Sequence, residues 1–222
     1  MTTQRLKTSD FWPMVGQVVE NLSGANGAEW FEALKRFLRK ENPWPSVGAP
    51  TGESAKWREH DGVIYLQVTS DGTTGAGWID WFEKNNLRVS DYAKSVLVSK
   101  DFKPSKACTV YEIAILKGML FEDKNRFTKD IRAEAMRRNL SKPNAEVACL
   151  IRKHFSDADI EAMGLWWIVA MHEPIKGSGG YPSLLGAGRG GGGRWLRAGC
   201  GDPDRGWHRG DGFAFVVSQA CV

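Results

Sequence analysis

The residues able to carry out acid–base or nucleophilic chemistry are few and lie far apart in the sequence. They are His60, Cys149, His154, His172, Glu173 and His208. The sequence contains no Ser-His-Asp elbow, no HExxH motif and no carboxylate pair at catalytic spacing. His172 follows an apolar run, which favours a hydrogen-bonded strand-end residue over a general base, and Cys149 lies on an apolar helix face, which favours an inert core thiol. We therefore predict a protein that is not an enzyme and needs no cofactor.

The four cysteines predict neither a metal site nor a disulfide. Cys108, Cys149, Cys200 and Cys221 are widely separated and show no CxxC spacing, as expected of free thiols in a reducing compartment. The opening residues contain no apolar segment typical of a secretory signal. The mean hydropathy is -0.37, and no run approaches the ~18 apolar residues of a membrane span. We predict a cytoplasmic protein without a metal and without membrane contact.

Basic residues are concentrated between Asp123 and Lys153, yet the net charge of the chain is only +4. The candidates for phosphate contacts are Arg126, Lys129, Arg132, Arg137 and Arg138. Because this charge density is a weak nucleic-acid footprint, nucleic-acid binding by the basic helices of residues 124–153 is the alternative function and is not favoured. Residues 186–191 match the dinucleotide fingerprint GxGxxG in letters only, since no helix follows to receive a pyrophosphate.

Hydrophobic periodicity predicts an α+β fold with a boundary near residue 55. An amphipathic helix over residues 28–40 ends at Asn42-Pro43, and the Pro, Gly and Ser that follow predict a linker up to residue 54. Strands are predicted at 63–69, 165–171 and 212–218, and residues 111–117 fit a strand or a helix, with a strand favoured. Helices are predicted from Thr73 or Thr74 to Phe82 and at 128–139, 143–154 and 156–164. We predict a helical N-terminal segment, residues 1–55, followed by one domain, residues 56–222.

The predicted helices after residue 125 have expected caps and buried faces. Thr128 and Ser141 are expected to act as N-caps, and Ser156 is expected to begin a further helical turn. The residues expected to face the core are Ile131, Ala135, Met136, Val147, Leu150 and Ile151. These helices are expected to pack on the strands.

The C-terminal third has its own residue alphabet. Of the 25 glycines, 14 lie between Gly177 and Gly212. The same region carries spaced aromatic residues, among them Trp195 and Trp207, so we predict short strands joined by glycine-bearing loops and not a flexible linker. From Gly177 to Ser218 the sequence contains no Lys, Glu, Gln or Met. Such an alphabet arises when the adenines of AAY asparagine codons are mutated, because NNY codons encode none of these residues.

Several long segments resemble the variable proteins of diversity-generating retroelements, in particular a group from candidate-phyla (Patescibacteria-type) bacteria. These segments are residues 66–75, 91–97, 142–152 and 161–175 and the ending from Arg194-Trp-Leu to Gly212-Phe-Ala-Phe-Val-Val-Ser-Gln. The resemblance implies a C-type-lectin-like fold with a hypervariable region over residues 177–218. It further implies that this region binds a macromolecular ligand, with a protein as the expected partner.

The resemblance divides the hypervariable region into fixed and displayed positions. The scaffold anchors it implies are Arg194, Trp195, Trp207, Arg209, Gly212, Phe213 and Phe215. The displayed, ligand-binding positions it implies are Gly188, Gly190, Gly191, Gly192, Arg197, Gly199, Cys200, Gly201, Asp202, Asp204, Arg205, His208, Gly210 and Asp211. Because glycine offers little contact area, this copy is expected to bind its ligand weakly or not at all.

Overall fold

The computed structural model describes residues 12–24, 27–38, 56–190 and 193–217, and the chain divides into two compact units, Met1–Ala49 and Pro50–Val222. The first unit contains α1 (Trp12–Ser23) and α2 (Gly27–Leu38). The helix predicted over residues 28–40 is confirmed as α2, although Phe31 and Leu38 of its apolar stripe are exposed. The predicted linker, residues 42–54, lies outside the described residues.

The second unit is a mixed α+β structure, which confirms the predicted class. Its strands are β1 (Trp57–His60), β2 (Val63–Thr69), β3 (Arg88–Val89), β4 (Val110–Lys117), β5 (Leu140–Ser141), β6 (Trp167–Ala170), β7 (Ile175–Lys176), β8 (Pro182–Gly188), β9 (Trp195–Cys200) and β10 (Asp211–Val217). Its helices are α3 (Gly75–Lys84), α4 (Asp91–Leu97), α5 (Thr128–Arg137), α6 (Glu146–His154) and α7 (Asp157–Ala162). The strands predicted near residues 63, 111, 165 and 212 are confirmed.

All the strands belong to one sheet, and β10 lies in its middle. The order is β1-β2-β4-β10-β6-β8-β9-β3, with β5 beside β10 and β7 beside β8. β10 runs antiparallel to β4 and parallel to β6. Phe213, Ala214 and Phe215 are all buried, so both faces of this strand are covered, as its apolar sequence predicts.

Each face of the sheet has its own core, because successive side chains of a strand point to opposite faces. The core on one face includes Trp78 of α3, Val96 of α4 and Leu150 of α6. The core on the other face includes Ile131 and Ala135 of α5. α5 therefore covers the opposite side of the sheet from α3, α4 and α6.

Two helices begin at the hydroxyl residues that the sequence indicates. Thr74 Oγ1 accepts the Gly77 N–H at 3.2 Å and caps α3. Ser156 caps α7 in a capping box, in which its hydroxyl accepts the Asp159 N–H at 3.1 Å and the Asp159 carboxylate accepts the Ser156 N–H at 2.7 Å. Such caps satisfy amides that have no partner within the helix.

The other two predicted caps are wrong. Thr128 is the first residue of α5, after the N-cap Phe127, and its hydroxyl oxygen accepts the indole N–H of Trp207 at 2.9 Å. Ser141 belongs to β5, and α6 begins only at Glu146, where the Asn144 side-chain oxygen accepts the Glu146 N–H at 3.0 Å.

Met136 was expected in the core but is 70% exposed, because the buried stripe of α5 runs through Ile131 and Ala135 and leaves Met136 on the other side.

Glu146 is fully buried at the first turn of α6. Its carboxylate accepts the Ser70 hydroxyl at 2.9 Å and the Ser105 backbone N–H at 2.9 Å. A negative charge at a helix N-terminus is also favoured by the exposed amide dipoles there. Glu146 therefore fastens two loops to α6.

Candidate functional site

β9 places alternate residues on the buried and the outer face of the sheet. Leu196 is fully buried, whereas Arg197 is exposed and Trp195 is half-buried. β9 pairs with β8 in a register that sets Gly188 opposite Trp195 and Gly186 opposite Arg197. The glycine-rich segment is therefore part of the central sheet: β8 is buried on both faces from Ser183 to Gly188, whereas β9 exposes Arg197 on its outer face.

An arginine from the edge of the sheet joins this outer surface. Arg88 of β3 pairs with Trp195, and its guanidinium carbon lies 5.4 Å from the Trp195 ring centroid. The guanidinium carbon of Arg197 lies 5.0 Å from the same centroid. We call Arg88, Trp167, Gly188, Trp195 and Arg197 the arginine–tryptophan face.

The cations of this face are not neutralised. Arg88 and Arg197 are exposed, and no carboxylate oxygen of the described residues lies within 4.0 Å of either guanidinium. Arg205 likewise has no carboxylate at that distance among the described residues, and it lies over the Trp207 ring at 5.7 Å. The surface thus presents positive charge supported by aromatic rings.

The glycines of this region differ in whether they can accept a side chain. A Cβ atom at Gly188 would lie 3.5 Å from Cδ1 of Trp167, and one at Gly190 would lie 3.5 Å from the Arg197 guanidinium, which are ordinary contacts. A Cβ at Gly186 would collide with the Trp167 indole nitrogen and lie 2.8 Å from the Ile168 carbonyl oxygen. Gly190, which is half-buried, can therefore accept a side chain, and the buried Gly188 has room for a methyl group beside Trp167, whereas Gly186 has none.

Three further glycines that the resemblance assigns to display are more restricted. A Cβ at Gly199 would lie 2.6 Å from the Trp167 ring, and one at Gly210 would lie 2.7 Å from the Trp166 ring. Gly201 is buried, and a Cβ there would lie 3.1 Å from both Leu184 and Pro174. A larger residue at these positions requires a neighbouring side chain to move.

The displayed positions with side chains are mostly on the surface. Those exposed are Arg197, Cys200, Asp202, Asp204, Arg205 and His208. Asp211 is only 7% exposed, and its carboxylate accepts the His208 N–H at 2.8 Å; burial raises its pKa. The expectation of display is therefore wrong for Asp211, which holds the turn before β10. Gly191 and Gly192 lie outside the described residues.

Trp207 is the main anchor of the loop between β9 and β10. It is buried, and its ring packs 5.6 Å from the Trp167 ring and 5.9 Å from the Phe213 ring, centroid to centroid. Its indole N–H donates to Thr128 and its backbone N–H donates to the Arg126 carbonyl at 2.9 Å. Trp207 thus ties the loop to α5 and to the core behind β10.

The remaining anchors fall into two groups. Phe213 and Phe215 are buried, and a Cβ at Gly212 would lie 2.7 Å from both Ile115 and Leu165, so these three positions are fixed by the core. Arg194 donates to the Arg152 carbonyl at 3.3 Å. Arg209 is exposed at the tip of the turn before β10, and its assignment as an anchor stays a prediction.

Sequence reasoning missed Arg152, which supports β8 from inside. Its side chain is fully buried, and one guanidinium nitrogen donates to Asp157 at 2.8 Å and to the Gly188 carbonyl at 3.0 Å. Burial lowers the pKa of this group, which the nearby Asp157 opposes. The signal in the sequence that could have identified Arg152 is its position directly after the apolar run Val147–Ile151.

The predicted chemistry-bearing residues do not form a common site. His172 is 2% exposed; its Nε2 accepts the Leu185 N–H at 2.9 Å, and its Nδ1 donates to the Glu173 carbonyl at 2.7 Å. The prediction of a hydrogen-bonded strand-end histidine is confirmed. Cys149 is fully buried, and burial raises the pKa of its thiol well above the usual value. Within the described ranges, no group of three His, Cys, Asp or Glu side chains could hold a metal ion.

The basic side chains of α5 and its flanks are already engaged. Arg126 is buried and donates to Asp123 at 2.6 Å, and Lys129 contacts Asp204 at 2.6 Å. Arg132 donates to the His172 carbonyl at 2.8 Å. Arg137 and Arg138 both pair with Glu134. A phosphate backbone would have to displace these partners, which weighs against the nucleic-acid alternative.

In comparisons with known proteins, no family model, no curated protein and no solved structure matches the chain. None of the helices in the described residues has the length and apolar content that a bilayer crossing requires.

Proposed function

We propose that this chain is a variable protein of a diversity-generating retroelement, with a C-type-lectin-like domain that binds a macromolecular ligand without catalysing a reaction. The observation that carries the proposal is the alternation along β9, where Leu196 is buried and Arg197 is exposed. The restricted residue alphabet of positions 177–218 falls on a sheet whose outer face can vary while its inner face stays in the core. The α+β architecture supports the lectin-like part of the proposal at the level of fold class.

The physical argument for such a surface is a contrast in mutational cost. Exposed substitutions usually change stability by no more than about 0.5 kcal/mol, whereas large-to-small changes in a core cost about 1–5 kcal/mol. Substitutions of the exposed Arg197 and Arg205 and of the half-buried Gly190 are expected to have the smaller cost. Trp207, buried between α5 and β10, keeps the loop in place while they vary.

The ligand of the proposed surface is expected to be another protein, met in the cytoplasm. The outer face of the sheet is a broad surface that carries Trp167, Trp195 and arginines, residue types enriched in protein interfaces. The ion pairs within and around α5 support this choice over a nucleic acid, because a phosphate backbone would have to displace them to bind these helices.

The DNA beside the gene provides the direct test. We expect a reverse-transcriptase gene nearby and a template repeat that matches the coding sequence of the hypervariable region except at adenines. In a complete genome, the absence of both would refute the proposal.

A second test measures tolerance in the protein itself. Libraries encoding NNY codons at Gly190, Arg197, Cys200 and Arg205 should retain a large folded fraction in a protease-resistance selection. A matched library at the buried positions Leu184, Leu185, Leu196 and Phe213 should lose it. Equal survival of the two libraries would contradict the proposed separation of surface and scaffold.

A further inference from the structure

We propose that the arginine–tryptophan face of this copy binds an acidic polypeptide segment, with Arg88 and Arg197 as the carboxylate-binding residues. The inference rests on the proposed binding function and names the chemical class of its ligand. It depends on three features of the face: unpaired charge, side chains held near a ring, and two exposed cations at a separation that an extended peptide can match.

The first feature is a pair of like charges without a counter-charge. Arg88 and Arg197 lie over the same Trp195 ring, and neither has a carboxylate within 4.0 Å among the described residues. By contrast, Arg189 pairs with Glu161 at 2.8 Å and Arg138 pairs with Glu134 at 2.6 Å. An incoming carboxylate would relieve the repulsion that the two adjacent cations create.

The second feature is that the ring limits the motion of both cations. A guanidinium stacked on an indole loses less conformational freedom when it binds a ligand than a freely rotating side chain does. Its planar fork can still donate two parallel hydrogen bonds to one carboxylate. The Trp195 ring therefore prepares two bidentate donors for acidic side chains.

The third feature is the distance between the donors and the space beside them. Both guanidinium carbons lie close to one ring centroid, which keeps them within about 10 Å of each other, and carboxylates on alternate residues of an extended peptide are about 7 Å apart. Gly190 places no side chain beside the Arg197 guanidinium, whereas Gly188 is buried beside Trp167. Because Arg88 and Arg197 are both exposed, two acidic side chains of an extended backbone can reach them from solvent.

A polypeptide fits this face better than a nucleic acid does. A phosphodiester backbone requires a track of free cations, and Lys129, Arg137 and Arg138 are held by carboxylates. Base stacking requires an open aromatic face, and the Trp195 ring already carries Arg88 and Arg197. The two guanidinium groups, of Arg88 and Arg197, are instead suited to bind two separate carboxylates of an acidic peptide.

The test measures the binding of a fluorescently labelled oligoglutamate peptide to the full chain at low salt by anisotropy. An oligoglutamine peptide of the same length and a labelled oligothymidylate are measured in parallel. We expect oligoglutamate to bind most tightly, and Arg88→Gln and Arg197→Gln each to weaken its binding about 3- to 5-fold, as for solvent-exposed ion pairs. Arg197→Lys should fall between the wild type and Arg197→Gln, because lysine keeps the charge but loses the bidentate fork.

The control is Arg58→Gln, which removes the same charge from an arginine that also lies over an aromatic ring but is paired with Glu112 at 3.4 Å. Arg58 belongs to β1, at the opposite edge of the sheet from β3. Its guanidinium carbon lies 5.2 Å from the centroid of the Tyr65 ring. Its substitution should leave oligoglutamate binding unchanged. Thermal unfolding of each variant should match the wild type, since all three arginines are exposed.

Several results would overturn the proposal. Equal affinity for oligoglutamine, or an equal loss of oligoglutamate binding in Arg58→Gln, would show that the face has no role as a carboxylate site. Tighter binding of oligothymidylate, lost in Arg88→Gln and Arg197→Gln, would reassign the face to nucleic acid.

The proposed function is decided separately by the template repeat. Arginine-dependent oligoglutamate binding without a repeat would refute the retroelement alone, and a repeat without such binding would refute the acidic ligand alone.

Discussion

Acidification from pH about 7 to pH about 4 is expected to destabilise the second unit by about 3 kcal/mol through His172 alone. Burial, assisted by the nearby Arg132 cation, lowers the pKa of His172 from 6.5 to about 4. Since one pKa unit is worth about 1.4 kcal/mol, this gap gives the expected magnitude. Both ring nitrogens make hydrogen bonds suited to the neutral ring, to Leu185 and to Glu173.

The sign follows from proton binding in the two states. Below pH 6.5 the unfolded chain takes up a proton at His172, whereas the folded chain does so only below about 4. Stability from this residue is therefore complete above pH 6.5, declines as the pH falls through the window, and declines no further below about 4.

The assay is urea unfolding at a series of pH values for the wild type and for His172→Gln. The glutamine amide can accept the Leu185 N–H and donate to the Glu173 carbonyl, but it does not titrate. The difference between the two proteins cancels the contribution of carboxylates common to both. The free energy of unfolding of the wild type minus that of the variant should fall by about 3 kcal/mol between pH 6.5 and 4. If the variant loses stability over this window as steeply as the wild type, the reasoning about His172 is wrong.

Three further predictions concern stability and can be checked by urea or thermal unfolding. Gly186→Ala should cost about 2 kcal/mol or more because its Cβ meets Trp167 and the sheet backbone, whereas Gly188→Ala should stay within about 0.5 kcal/mol; similar losses would contradict the assigned geometry. Trp207→Phe should cost about 1–2 kcal/mol through the lost hydrogen bond to Thr128 and the smaller ring, and a loss that persists undiminished in a Thr128→Val background would argue against that bond. Glu146→Ala should cost about 3 kcal/mol because it leaves buried donors without an acceptor, with Glu146→Gln distinctly milder; equal costs would show that the acceptor oxygen is unimportant.

Features set by neighbours in sequence were predictable, and features set by distant partners were not. Thr74 and Ser156 cap helices through amides three residues ahead, which the local sequence contains. Thr128 has the same local signal, yet its oxygen accepts a hydrogen bond from Trp207, which the fold brings from another part of the chain. A competing partner of this kind leaves no trace in the pattern around Thr128.

The candidate face shows the same division. The exposed character of Arg197 beside the buried Leu196 follows from the period of a strand, and the resemblance assigns Arg197 to display. The contribution of Arg88 depends on the parallel pairing of β3 with β9, which no local pattern around Arg88 predicts. Likewise, the buried side chain of Asp211 is visible only once the turn before β10 has formed.

The central position of β10 ties the integrity of the whole sheet to the segment that precedes it. β10 alone joins β1, β2 and β4 on one side to β6, β8, β9 and β3 on the other. A copy of the gene with a frameshift or a stop codon anywhere between residues 189 and 210 would make a chain without this seam, leaving two half-sheets with open apolar edges. We expect such chains to be removed by proteolysis, so that only chains that keep the reading frame through residues 189–210 accumulate as folded protein.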